Sequence, residues 1–255
     1  MIESRLSDKT VLVTGGATNI GAAISLAFAE QGARVVVHYA PGMTSAGSRE
    51  IGAAEPQAFI ASLPDAIGVA EDFLTPGAAA RLMDTVVEQA GPVDVLVNNA
   101  ALANEADTFD TIDETGIEQT LRVNAMAPAI LIAELSKRLP SNAPADSASV
   151  VNISTDAARG FPNQVSYGMS KAALESLTRG AATDLAPRIR VNAIAPGPIQ
   201  TGWMDDELIR KVIPRIPMQR VGDPSDIADA CVFLASHQAR WITGQVIQVA
   251  GGHWL

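Results

Sequence analysis

Short β-branched runs alternate along the chain with longer stretches whose apolar positions return every three or four residues. The runs are Thr10–Val13, Arg34–Tyr39, Ala66–Ala70, Val93–Asn98, Ser149–Ser154, Ile189–Ile194 and Gln245–Val249. Several are apolar almost throughout, as strands are when both faces of a parallel sheet are covered. The helical stretches are Ile20–Gln31, stopped by Gly32; Gly77–Gln89, with Leu82, Val86 and Val87 on one face; Ile117–Leu139; Tyr167–Leu185; and Asp226–Ser236, introduced by Pro224 and Ser225. This alternation predicts an α/β fold, a doubly wound, seven-stranded parallel sheet with helices on both faces. Composition does not break along the chain, so one domain is expected over residues 1–255. Two segments are irregular: Met43–Pro64, where any helix is short or interrupted, and Gly197–Pro224, where a substrate lid is expected around 198–220.

Charge narrows the partners. The 18 Lys+Arg against 28 Asp+Glu leave a formal charge of −10, which repels nucleic acid and anionic membrane surfaces. A single cysteine, Cys231, and the three histidines His38, His237 and His253 leave no intrachain disulfide and no Cys/His zinc cluster. No apolar run reaches bilayer length, and the polar start MIESRLSDKT lacks a signal-peptide pattern, so the expected location is cytoplasmic.

Chemistry begins after the first run. Thr14-Gly15-Gly16-Ala17-Thr18-Asn19-Ile20-Gly21 joins a strand to a helix. Such a turn lets the backbone approach a pyrophosphate closely, with N–H groups and the helix dipole aimed at it. An ordinary tight turn remains the alternative. The second strand ends Val36-Val37-His38-Tyr39-Ala40-Pro41-Gly42, with no carboxylate to hold a ribose 2′-hydroxyl or to repel a 2′-phosphate. NADP(H) is therefore expected in preference to NAD(H). His38, Ser45, Ser48 and Arg49 are candidate phosphate contacts, although His38 reads equally well as a structural cap of its strand.

Further motifs follow in order: Asn98-Asn99-Ala100-Ala101, Arg122-Val123-Asn124, Ser154 before Tyr167-Gly168-Met169-Ser170-Lys171, Pro196-Gly197, and Ile242-Thr243-Gly244-Gln245. Together they resemble the short-chain dehydrogenase/reductase superfamily, in its compact single-domain branch with a Rossmann-type fold, from about Lys9 to Gly252. The resemblance implies that Gly15, Thr18, Asn19, Ile20 and Gly21 surround the pyrophosphate, and that His38 and Tyr39 lie by the adenosine phosphate. Asp72, with Phe73 beside it, would meet adenine, and Asn98 and Ala100 the adenosine ribose. Pro196, Gly197, Ile199 and Thr201 would meet the nicotinamide end. Tyr167 would be the acid/base, Lys171 its partner, Ser154 the carbonyl binder and Asn124 the organiser of a relay water. Asn stands at position 19 where the family usually has Gly, a change the left-handed tolerance of Asn accommodates.

These residue types suit hydride transfer between a secondary alcohol and a ketone. Lys171 follows Tyr167 by four residues, so the two share a helix face, and an ammonium there is expected to lower the phenol's pKa. A small hydroxyl adds a second hydrogen bond to the developing alkoxide. Thirteen residues before Tyr167 stands Ser154, the preferred candidate; alignment on Asn152-Ile153 selects Thr155 instead. Asp156 reads as a loop residue, and His253-Trp254 as either an interface segment or a disordered end. Trp203, Met204, Ile209 and Ile213 suggest an apolar lid and a hydrophobic ketone. Competing readings are a non-catalytic dinucleotide sensor or scaffold, a 3-oxoacyl-carrier-protein or pteridine-type reductase, and epimerisation, dehydration or enoyl reduction on the same fold. The resemblance also implies a homodimer or homotetramer through the Ile117–Leu139 and Tyr167–Leu185 helices.

Overall fold

The computed structural model describes residues 4–42, 56–104, 107–160, 162–202 and 204–254. Ser45, Ser48, Arg49 and the lid's Trp203 fall outside these residues. The strands are β1 (Thr10–Val13), β2 (Arg34–Tyr39), β3 (Ile67–Ala70), β4 (Val95–Asn98), β5 (Ala148–Ile153), β6 (Ile189–Pro196) and β7 (Val246–Val249). All pair in parallel, in the order β3-β2-β1-β4-β5-β6-β7. Alternate residues of each central strand feed opposite layers. Val11, Val13, Val35 and Val37 pack with α1 (Asn19–Glu30) and α8 (Pro224–Ala235), whereas Leu12, Val36 and Leu96 face α3 (Ala78–Ala90), α5 (Ala127–Arg138) and α6 (Val165–Leu185). That two-sided burial explains the unbroken apolar character of the strands.

Strand order reverses about β1, whose neighbours are β2 and β4. Their connections leave in opposite directions, and a crevice opens past the C-terminal strand ends, where such sheets bind ligands. The remaining helices are α2 (Pro56–Ser62), α4 (Glu114–Leu121) and α7 (Asp206–Val212).

Two helical expectations change. The stretch expected as one helix over Ile117–Leu139 starts earlier, capped by Asp113, whose Oδ1 accepts the Gly116 N–H at 2.7 Å, and is interrupted by a π-helical turn at Arg122–Met126. The Ala127 N–H bonds the Arg122 carbonyl, five residues back. Pro128 accounts for the widening: it has no N–H to give the carbonyl of residue 124, and its ring displaces that carbonyl. Within the irregular lid segment, α7 forms although prolines flank it. Asp205 caps it by accepting the Leu208 N–H at 2.8 Å, with Asp206 and Glu207 in the first turn and Arg210 and Lys211 in the last.

Phe28 is fully buried where α1 meets the sheet. Phe28→Ala is expected to cost about 3–5 kcal/mol, read as a lower urea midpoint at unchanged slope.

Candidate active site

The predicted site residues gather along one edge of the sheet, because each follows the C-terminal end of its strand. Gly15 to Gly21 leave β1, His38 and Tyr39 close β2, Asp72 and Phe73 follow β3, and Asn98 and Ala100 follow β4. Ser154 and Thr155 leave β5; Pro196 closes β6, ahead of Gly197, Ile199 and Thr201. Tyr167 and Lys171 approach from α6, and Asn124 from the π turn.

The glycine turn is held by its neighbours. Gly15 has φ +60°, and a Cβ on Gly21 would stand 2.0 Å from the Gly15 carbonyl oxygen. Only glycine permits that approach. Asn19 takes φ 50°, as expected of an asparagine in a glycine-like position. Thr18 is the extended residue before α1. Thr14 and Asn99 tie the turn to β4. The Thr14 hydroxyl accepts the N–H groups of Asn99 and Ala100, both at 3.0 Å, and Asn99 Nδ2 donates to the Thr14 and Gly15 carbonyls, each at 3.0 Å. Neither residue was given a role from the sequence, although both lie inside the motifs.

His38 takes the structural one of its two expected roles. Nδ1 accepts the Gly15 N–H at 3.1 Å and Nε2 meets the Glu71 carbonyl at 2.9 Å, so the proton sits on Nε2. The ring stacks on Phe73, with centroids 4.4 Å apart. Burial pushes its pKa down to about 4, against a pull from the Glu71 carbonyl bond and the charges of Glu71 and Asp72. A neutral imidazole with both nitrogens engaged has nothing to offer a phosphate, so the expected phosphate contact is corrected here. Tyr39 takes a hydrogen bond from Gln57 Nε2 at 3.2 Å, and Asp72 Oδ1 accepts the Leu74 N–H at 2.9 Å.

Two buried oxygens in this crevice, Asn19 Oδ1 and Asn98 Oδ1, have no hydrogen-bond partner among the described residues. Asn98 donates its Nδ2 to Asn152 Oδ1 at 2.8 Å, which leaves its own buried oxygen without a partner among the described residues. Unpaired acceptors beside a glycine turn and a helix N-terminus fit a dinucleotide, whose ribose hydroxyls donate and whose pyrophosphate takes backbone N–H groups.

At the catalytic end, Thr155, not Ser154, faces the Tyr167 phenol closely enough to lower its pKa. Ser154 is buried and donates to Glu175 Oε1 at 2.9 Å, toward α6. Successive residues leaving an extended strand point to opposite sides, and of the two candidates Thr155 faces Tyr167 while Ser154 faces Glu175. Lys171 is buried, donates to the Ile153 carbonyl at 2.7 Å and lies 5.7 Å from the Tyr167 ring centroid. Burial lowers its pKa to about 8. The phenol behaves contrary to expectation. Burial and the nearby Asp156 charge push it up to about 12, against a lowering from the Thr155 bond. Desolvation thus outweighs the lowering from Thr155.

Asn124 is fully buried. Its Oδ1 accepts the Leu102 N–H at 2.7 Å, and its Nδ2 donates to the Leu102 carbonyl at 2.8 Å and to Ser170 Oγ at 3.0 Å. Both amide hydrogens thus serve the chain, fastening the loop after β4 to α6. Asp107 was missed as an organiser. Its two carboxylate oxygens accept the N–H groups of Ser166 at 2.8 Å and Tyr167 at 2.9 Å, capping α6 where the phenol projects. Fifty-nine and sixty residues separate these partners, so nothing local signals the pairing.

The model of a family described as enoyl-(acyl carrier protein) reductase matches residues 15–253. An uncharacterized oxidoreductase of Mycobacterium tuberculosis is 38% identical, with 97% of this chain and 93% of that protein covered. The NADPH-dependent aldehyde reductase 1, chloroplastic, of Arabidopsis thaliana is 33% identical, over 98% of this chain and 87% of that one. The crystal structure of the angucycline C-6 ketoreductase LanV with bound NADP superposes with a TM-score of 0.83 at 32% identity, covering 98% of this chain and 97% of that chain. The chain belongs to the short-chain dehydrogenase/reductase family. It is an NAD(P)-dependent oxidoreductase of that family.

His38 makes acid stability testable. Below about pH 6.5 the unfolded chain takes up a proton at this imidazole, whereas the folded one does so only near pH 4. Stability should therefore fall through that window, by about 3 kcal/mol in all. Urea titrations across it should show the slope, and His38→Gln should flatten it. Gly21→Ala should weaken NADPH binding by about tenfold or more, equivalent to about 1.4 kcal/mol, in a fluorescence titration.

Proposed function

We propose that the protein interconverts a secondary alcohol and a ketone, with Tyr167 as general acid/base. The observation that carries this reading is the buried Lys171 ammonium 5.7 Å from the Tyr167 ring centroid, with Thr155 on the same side of the turn after β5. A bound reduced nicotinamide supplies the hydride. As the carbonyl carbon is reduced, charge grows on its oxygen, and the chain answers with two O–H donors. Tyr167 donates its proton to that oxygen, and the Thr155 hydroxyl adds a second hydrogen bond of the oxyanion-hole kind. A phenol pushed up to about 12 is protonated at neutral pH, which suits reduction. Alcohol oxidation needs the phenolate, for which the Lys171 ammonium is the chain's own stabiliser.

Two donors converging on one oxygen suit a ketone better than a carbon–carbon double bond, which favours carbonyl over enoyl reduction despite the family description. A role limited to nucleotide sensing would give the chain no use for an ammonium that is costly to bury even with its bond to the Ile153 carbonyl. We take NADP(H) as the preferred coenzyme, because no carboxylate follows β2 to repel a 2′-phosphate. We take the substrate to be an apolar ketone, from Ile209 and Ile213 in the lid, and the working form to be a homodimer or homotetramer.

A carbonyl library assayed with NADPH and NADH tests this reading; no coenzyme oxidation with any ketone would overturn it. Tyr167→Phe should lower kcat by about 10²–10⁴-fold while coenzyme binding is retained. Thr155→Ala should cost more in kcat than Ser154→Ala, and the reverse order would return the role to Ser154.

A further inference from the structure

The C-terminal segment is wedged between the lid and the catalytic turn. Gly251 accepts the Met218 N–H at 3.0 Å, and a Cβ on Gly252 would stand 2.7 Å from Pro217 Cγ. Beyond this wedge, His253 Nδ1 lies 2.6 Å from Asp156 Oδ2, with both side chains nearly buried. Arg159 adds a second fastening, donating to the Trp254 carbonyl at 3.3 Å. Asp156 directly follows Thr155, and its other oxygen, Oδ1, accepts the Thr155 hydroxyl at 3.4 Å. One carboxylate thus holds the Thr155 hydroxyl, and its charge opposes a negative charge on the phenol. Without the His253 bond its full charge would hold the Thr155 proton more tightly against a substrate oxygen.

We propose that His253 is a positioning residue: by donating to Asp156 Oδ2 it draws charge away from the oxygen that accepts the Thr155 proton, which loosens that bond and eases a negative charge on Tyr167. Either imidazole form carrying the proton on Nδ1 does this. The charged and titratable groups around the phenol are Lys171 on its own helix, Asp156 on the turn after β5, Asp107 at the α6 N-terminus, and Glu175 behind Ser154. Among them Asp156 has its own dedicated counter-group from the chain end. The catalytic consequence rests on the carbonyl-reduction reading, but the electrostatic one does not.

The chain has two tyrosines, so in a Tyr39→Phe background the phenolate absorbance reports Tyr167 alone, without substrate. His253→Ala should raise the Tyr167 midpoint by about 0.5–1 pH unit. Asp156→Asn should lower it, and in that background His253→Ala should no longer move it. A midpoint unchanged by His253→Ala overturns the proposal, as does an equal shift with and without the Asp156 carboxylate. If His253→Ala does not fold, Asp156→Asn alone decides: a midpoint that does not fall overturns it. In turnover, His253→Ala should move the acidic limb of the alcohol-oxidation pH profile to higher pH. A shifted phenol titration with no turnover on any alcohol would sink the carbonyl reading and leave this inference standing.

Discussion

The Lys171 ammonium sits in the protein interior, and the Ile153 carbonyl is its recorded hydrogen-bond partner. Ile153 is the last residue of β5, so this 2.7 Å bond fixes the distance between a strand end and a helix face. Everything reactive is measured from it. Thr155 follows Ile153 by two residues, and Tyr167 precedes Lys171 by one helical turn. A buried cation tolerates little freedom, because each lost bond exposes it to a low dielectric. The lysine therefore acts as a ruler as much as a charge.

The coenzyme crevice is built on the same economy of main-chain groups. His38 fills the gap between the β1 turn and the β3 end, and Thr14 with Asn99 fills the one between β1 and β4. Backbone atoms that the turn strips from regular pairing are thus satisfied by side chains from adjacent strands. The acceptors left over, on Asn19 and Asn98, have no partner among the described residues.

Much of this was legible in the residues. β1 and β2 fall where their β-branched runs lie, because Val11–Val13 and Val35–Val37 are buried on both faces of the sheet. Gly15 and Gly21 announced a close approach, and the four-residue step from Tyr167 to Lys171 announced a shared face. What stayed hidden depends on partners distant in sequence. The spacing to Tyr167 separates Ser154 from Thr155 by one residue, and only the path of the turn after β5 resolves that difference. The role of His38 depends on Glu71, that of Asp107 on the start of α6, and that of His253 on Asp156. The phenol's direction of shift also escaped, since proximity of an ammonium is readable from spacing whereas desolvation is not.

The π turn at Arg122–Met126 has a consequence for anyone redrawing this helix. One surplus residue in the ladder advances the azimuth of everything beyond it by about 100° relative to a regular spiral. Asn124 keeps its bonds to Leu102 and Ser170 only because the backbone carries that surplus. Deleting a residue nearby, or exchanging Pro128 for a residue that restores the tighter winding, would swing the amide off target and release the loop over the crevice without touching a reacting group.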